Sequence, residues 1–393
     1  VSVVAAIVGL ALLVMIHEAG HFVVARAVGM TPRKFYLGFG PPLVRWVRGG
    51  VEYGIAAIPL GGYVKIPGMS RPSAGDLAAS LRPDVREEHK AALARLDVAI
   101  EGGDDEAARA ALEELRPALG STRMWQELEM SLAPDAYWRQ ATWRRLAAIF
   151  AGPGVNLVFA IVIFTAVFMV ATTRDTRVIA QVRPGTPAAQ AHLRPGDQIV
   201  TIAGQPVQPK QIPAHIRATH GTPFRIVILR HKHRLTIGPL RARLDQGAYR
   251  IGIAIEARTG PGESLPAALG DSFRVTWQVT ADTVRGIAHL VQGRDTNQVS
   301  SGVGIVRVSA AAWRQGVRDF LSVLGLISLA LGLLNLLPLL PLDGGHIVIA
   351  LVEKLRGRTF TQQVYMRYSM VGLGVMFIAL YIGLRNDLFG GSG

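Results

Sequence analysis

The sequence places His17-Glu18-Ala19-Gly20-His21 directly after sixteen residues, Val1 to Ile16, in which no charge occurs. On a helix the two histidines rise from one face about 6 Å apart along the axis, a spacing at which two imidazoles grip one metal ion. Glu18 stands beside them, able to take a proton from water at such a metal. The ordinary alternative is a His-Glu pair at a membrane edge whose polar ends snorkel to water. Against it, three polar side chains inside a stretch able to enter a bilayer are costly there and mark a functional site by default.

A second constellation is Asn335-Leu336-Leu337-Pro338-Leu339-Leu340-Pro341-Leu342-Asp343-Gly344-Gly345-His346. Two prolines and two glycines interrupt an apolar run here, opening backbone carbonyls and making room for water. An aspartate at such a break needs a cation. Two histidines, one carboxylate and a water make the four-coordinate arrangement of a catalytic zinc, with one position left open. Asp343 is the expected third ligand and His346 the competing one; a helix-capping aspartate at an ordinary Pro-Gly turn is the non-functional reading. Asn156, in Ala151-Gly152-Pro153-Gly154-Val155-Asn156, fits either an interhelical hydrogen bond or a substrate contact near the metal.

The elements that must position these groups are mostly apolar. Of the 393 residues, 50% are hydrophobic and only 18% charged, which is low for a soluble protein and points to a membrane class. Four spans are expected, at 1–30, 144–173, 319–353 and 366–387, each near the length that crosses a hydrocarbon core of roughly 30 Å. The first carries the histidines, so it is expected to be a retained helix and not a removed signal peptide. The formal net charge of +14 lacks the aromatic interleaving of a nucleic-acid binder and fits attraction to a membrane surface better. With no cysteine, disulfides, thiolate zinc ligands and a cysteine nucleophile are excluded. Arg26, Arg33, Lys34, Arg45 and Arg48 follow the first span, Arg139, Arg144 and Arg145 precede the second, and Lys354, Arg356, Arg358 and Arg367 lie between the last two. This distribution places those segments on the cytoplasmic side, both chain ends outside, and the histidines near the cytoplasmic end of the first helix. Gly390 to Gly393 reads as a flexible tail.

Between the spans, 37–66 reads as a membrane re-entrant β-hairpin, with strands at 43–47 and 51–58, whose edge could pair with an extended substrate. Segment 70–135 mixes charges with alanine and leucine and reads as a cytoplasmic helical hairpin, helices at 87–100 and 106–119 parted by Gly102-Gly103. It is expected to be a solvated spacer more than a partner surface. Residues 259–318 read as a linker with an interfacial helix. From 176 to 258 the chain becomes a soluble module, with strands at 178–182, 198–202, 224–229 and 249–255. Val182-Arg183-Pro184-Gly185-Thr186-Pro187-Ala188-Ala189, followed by Leu193 to Asp197 and Ile199, resembles the PDZ family in its bacterial, strand-permuted form. That resemblance implies capture of a peptide tail on a sheet edge, with Tyr249 to Ile253 as the edge, or a plug that excludes bulky substrates.

Taken in order along the chain, His17 to His21, Gly152 to Asn156, the PDZ-like module and Asn335 to His346 together resemble the site-2 protease family of intramembrane zinc metalloproteases. The resemblance implies a polytopic α-helical membrane protein with an inserted extracytoplasmic PDZ-like α+β domain. It implies Zn2+ held by His17, His21 and Asp343, Glu18 as general base, and Asn335 and Asn156 as contacts to the substrate backbone. Substrates would be single-span membrane proteins already shortened on the outer face, such as anti-sigma factors, or remnant signal peptides, cut within a bacterial plasma membrane. The 70–135 insert and the single PDZ-like unit depart from family members with two such units. Two rivals remain: a non-catalytic receptor with a structural metal, which needs no glutamate beside its ligands, and a metal transporter, which should show inverted repeats.

Overall fold

The computed structural model describes residues 1–119, 122–245, 248–292 and 301–389. The expected tail at 390–393 and part of the expected linker, 293–300, lie outside them. The chain divides into two compact units, Val1–Thr165 with Leu269–Gly393, and Ala166–Ala268.

The larger unit begins with α1 (Ser2–Ala27), whose buried positions are Ala6, Gly9, Leu13, His17, His21 and Ala25. These recur every three or four residues, so both histidines continue the small-residue stripe that faces protein while valines and leucines on the other faces stay exposed. β1 (Lys34–Arg48) and β2 (Val51–Lys65) follow. Gly49 and Gly50 both hold positive φ, 58° and 76°, as a tight two-residue hairpin turn requires. The strands run longer than the sequence pattern suggests. Pro42 sits at a register shift within the pairing, a position where a missing amide is tolerated, and not at a strand end. The register also places Lys34–Leu37 between Glu52–Ile55 on one side and Gly62–Lys65 on the other, so Gly62–Lys65 forms an outer edge.

The insert is a bundle of α2 (Ala74–Ser80), α3 (Pro83–Glu88), α4 (Lys90–Gly102), α5 (Asp105–Leu115) and α6 (Thr122–Ser131). Five short helices stand where a two-helix hairpin was expected. Gly103 closes α4 in the left-handed region, and the Asp104 carboxylate accepts a 3.0 Å hydrogen bond from the Ala107 amide to open α5. Leu93, Leu96, Leu112, Leu115 and Leu132 form its core. Asp135 ties its end to the start of β1 through Arg33, at 2.8 and 3.1 Å. α7 (Thr142–Val170) then runs for 29 residues with Pro153 inside it.

The smaller unit is a sheet ordered β10-β3-β4-β6-β7. Its elements are β3 (Ala171–Val182), α8 (Pro187–Gln190), β4 (Gln198–Ile202), β5 (Gln205–Pro206), α9 (Ile212–Ala218), β6 (Phe224–Arg230), β7 (His233–Leu240), β8 (Arg243–Asp245), β9 (Ala248–Arg250) and β10 (Ile253–Pro261). Ile179, Ile199, Ile202, Ile226 and Ile228 fill its core from alternate strand positions. The single strand expected at 249–255 is two: β9 pairs with β8, β10 pairs with β3, and they part at Gly252. Gly252 has φ 83°, and a Cβ there would overlap Thr186.

The larger unit resumes with α10 (Leu265–Val291), α11 (Gly302–Gln315), α12 (Val317–Asn335), α13 (Asp343–Arg356) and α14 (Gln362–Phe389). The run expected at 319–353 is broken into α12 and α13, because neither Pro338 nor Pro341 can donate a helical hydrogen bond. α1, α7, α12 and α14 are each long and apolar enough to cross a membrane. Small residues set their approach: a Cβ on Gly20 would lie 2.6 Å from the Ala151 carbonyl oxygen of α7, and one on Gly325 of α12 would lie 2.7 Å from the Phe164 ring.

Candidate active site

α1 delivers His17 and His21 by helical periodicity, and the break between α12 and α13 delivers Asp343 at the first turn of α13, where a carboxylate is favoured by the helix dipole. The three donor atoms form a nearly regular triangle. His17 Nε2 lies 3.2 Å from Asp343 Oδ2 and 3.2 Å from His21 Nε2, and His21 Nε2 lies 3.4 Å from Asp343 Oδ2. Ligands about 2.0–2.1 Å from a tetrahedral centre stand about 3.3–3.4 Å from one another, so the triangle has the dimensions of one face of a zinc-sized coordination sphere. His21 Nδ1 donates to the Ala148 carbonyl at 2.8 Å, which leaves the Nε2 lone pair aimed inward. There it meets His17 Nε2 and Asp343 Oδ2, so three atoms able to act as ligands converge on one point that a cation can occupy. The donor set therefore fits a divalent metal.

Backbone close to the ligands has been cleared of side chains. A Cβ at Gly152 on α7 would overlap the His21 ring, and one at Gly344 would overlap the Leu336 and Leu337 carbonyls. A Cβ at Gly345 would lie 2.5 Å from the Leu340 amide nitrogen. The Tyr368 hydroxyl of α14 donates to the Pro338 carbonyl, satisfying part of the broken backbone. A buried ion pair joins the two halves: Arg145 of α7 donates to Glu353 of α13 at 2.5 Å, with side chains 5% and 3% exposed. Glu353 also accepts the Phe360 amide at 2.7 Å, and the Arg145 guanidinium lies 4.7 Å over the Tyr137 ring. One end of this clasp is a turn before the Ala148 carbonyl that orients His21; the other is on the helix that begins with Asp343.

Glu18 is half-buried and turned toward β2, where the Val64 amide faces its carboxylate. A Cβ on Gly62 would come within 3.1 Å of Glu18 Cγ. The strand bordering Glu18 is thus Gly62–Lys65, not the 43–58 stretch singled out from the sequence. His346 lies outside the donor cluster, its ring 6.1 Å from that of Tyr365. Asn335 donates to the Leu331 carbonyl of its own helix at 3.0 Å. Asn156 is fully buried between α7 and α12, with neither amide atom paired, while its main-chain oxygen accepts from Ser328 at 2.9 Å. The Ala148 carbonyl, Gly62–Lys65 and the Arg145–Glu353 pair were missed from the sequence; the doubled glycine after Asp343 was the one local sign of close backbone approach.

The sequence profile of Peptidase family M50 matches residues 5–379. The chain belongs to this family, the site-2 protease family. It is therefore a membrane protein and a metallopeptidase. The zinc metalloprotease Rip1 of Mycobacterium tuberculosis is 29% identical, over 87% of this chain and 83% of its own length. The Agrobacterium fabrum protein Atu1380, provisionally named a zinc metalloprotease, is 29% identical over 96% of this chain and 93% of its own. The Enterococcus faecalis protein eep, provisionally named a protease, is 25% identical over 98% of both.

Proposed function

We propose that this M50 peptidase hydrolyses peptide bonds in or near the membrane-spanning segments of single-span proteins, with zinc held by His17, His21 and Asp343. The triangle of donor atoms with Glu18 beside it carries the proposal. Zinc held there would supply Lewis acidity, which would lower the pKa of water to about 7 and polarise a carbonyl. Glu18 accepts the proton of the attacking water on its carboxylate and returns it to the nitrogen of the leaving amine. The Val64 amide faces that carboxylate. A substrate helix must unwind first, since its carbonyls are engaged in intrahelical bonds, and the Gly62–Lys65 edge pairs with the freed strand as it passes Glu18. Asn335 keeps its amide oxygen for a substrate N–H. Asn156 takes a substrate partner when α12 parts from α7, which gives its unpaired amide a use.

The basic flanks of α1, α7 and α13 support a topology with the metal site toward the cytoplasmic side and the PDZ-like module extracytoplasmic. That unit acts as a PDZ-like module. A groove of about 610 Å³ between α9 and the β9–β10 edge, bordered by Arg183, Arg217, Arg243 and Tyr249, suits an extended tail ending in a carboxylate, as an earlier outer-face cut would leave. Anti-sigma factors and remnant signal peptides have this form. Purified protein incubated with synthetic membrane-spanning peptides, with and without a chelator, tests the reading by mass spectrometry. Cleavage within the span that disappears with chelator is the expected result; no cleavage in any peptide, or chelator-resistant cleavage, would overturn it.

A further inference from the structure

We infer that the 70–135 insert extends the substrate track, forming with β2 and the start of α14 a groove for the polypeptide segment that emerges from the span beside Glu18; this rests on the protease reading above. A cavity of about 990 Å³ opens at Tyr63–Ile66, includes the turn after β2, and is walled by α2, α6 and the first turn of α14. It lies wholly within the larger unit. Three observations say what fills it.

The groove continues the Gly62–Lys65 edge. The Val64 amide is turned to Glu18, and among the described residues no strand pairs with the outer side of that edge. A strand laid along it past Glu18 runs directly into the cavity, because Tyr63 to Ile66 belong to both. The occupant is therefore backbone in extended form, continuous with the segment being cut.

The walls suit varied apolar side chains. Met69, Met130 and Met366 line the cavity with Leu77 and Leu128. Unbranched thioethers adapt their shape to different neighbours, as surfaces that accept many sequences require.

The charges along the walls are few. Lys65 and Glu127 pair at 2.5 Å, and Asp76, which accepts the Gln362 amide at 2.9 Å and so fixes α2 to α14, keeps its negative charge. That single carboxylate disfavours an acidic cluster, so the favoured segment is sparsely charged and not acidic. The insert thus makes cleavage depend on sequence outside the membrane, on the side where β2 ends.

The test compares two synthetic substrates in the full chain. Both carry one span; one ends at the membrane surface and the other adds ten uncharged residues with a photoreactive side chain midway. The long substrate should show a KM at least several-fold lower at similar kcat, and illumination should crosslink its tail to peptides containing Met130 or Met366. Ser131→Trp, which fills the groove, should bring the two KM values together. Equal KM in the wild-type chain, or crosslinks confined to other surfaces, would overturn the groove while leaving the protease reading intact. Failure to cut either substrate would count against both, and chelator-sensitive cutting of the short one separates the cases. The crosslink needs no substitution, so misfolding of the tryptophan variant does not leave the proposal open.

Discussion

α1 and the 336–356 segment solve the same problem, placing a polar ligand among apolar helices, in opposite ways. α1 stays unbroken and lets a four-residue step put His17 and His21 on its buried stripe, well inside a continuous helix of 26 residues. The other segment gives up seven residues of helix to bring one carboxylate to the same point, and its freed backbone is answered by the Tyr368 hydroxyl and by turns within Leu336–Gly345. An imidazole can be buried neutral, whereas a carboxylate brings its charge with it. The comparison teaches that an unbroken helix can deliver imidazoles by register, with a neighbouring carbonyl and a glycine to seat them, while the anionic ligand takes a break in the helix and a rebuilt surrounding.

The comparison can be tested at three points, from the greatest expected effect downward, with a fourth and smaller effect in the other unit as the contrast. Glu18→Gln removes the proposed base from the unbroken half without touching a ligand. Peptide cleavage should fall by about 10²–10⁴-fold, with zinc content unchanged by metal analysis. Glu353→Ala attacks the clasp on the broken half. It strands a buried guanidinium that cannot shed its proton, and thermal unfolding in detergent should show a loss of about 3–5 kcal/mol, more than Arg145→Met, which strands a carboxylate that keeps the Phe360 amide and can take up a proton.

Gly152→Ala and Gly344→Ala press on His21 and on the backbone behind Asp343. Each should weaken zinc binding by about 10–100-fold in a competition titration, with Gly344→Ala the worse because the atoms it meets are main-chain carbonyls. Equal or absent effects would show that the two halves do not differ as described.

The smallest effect lies in the other unit. Burial works against the Asp197 charge, but hydrogen bonds from Arg230, at 2.7 Å to each oxygen, and from the Arg194 amide outweigh it and hold the carboxyl below the usual carboxylate range. A folded-state pKa below the unfolded one means this stabilisation is complete above about pH 4 and is lost as pH falls through the lower, folded value. Protection factors of β4 and β6 amides, corrected for the intrinsic exchange rate at each pH, should therefore fall at acid pH, and Asp197→Asn should remove that dependence.

Much of this was legible where physics is local. The histidine spacing, the apolar lengths of α1, α7 and α14, and the glycine-ended α4 follow from periodicity and caps that a sequence displays. The long-range parts were not. Nothing in Ala148 marks it as the acceptor for His21, since any residue offers a carbonyl. Gly62–Lys65 lies beside Glu18 only because β1 pairs on both sides, and a register of that kind is set by tertiary packing. Gly252, at φ 83°, interrupts a stretch whose alternating pattern reads as continuous strand, because a positive φ leaves no trace in such a pattern.

The central claim is that Asp343 completes a metal site begun by His17 and His21. Zinc content and affinity of Asp343→Ala, measured by equilibrium dialysis beside the wild-type chain and Glu18→Gln, test it most directly. One tightly held zinc per chain in the latter two, and loss of that zinc in Asp343→Ala, is the expected outcome; undiminished zinc binding by Asp343→Ala would contradict the account.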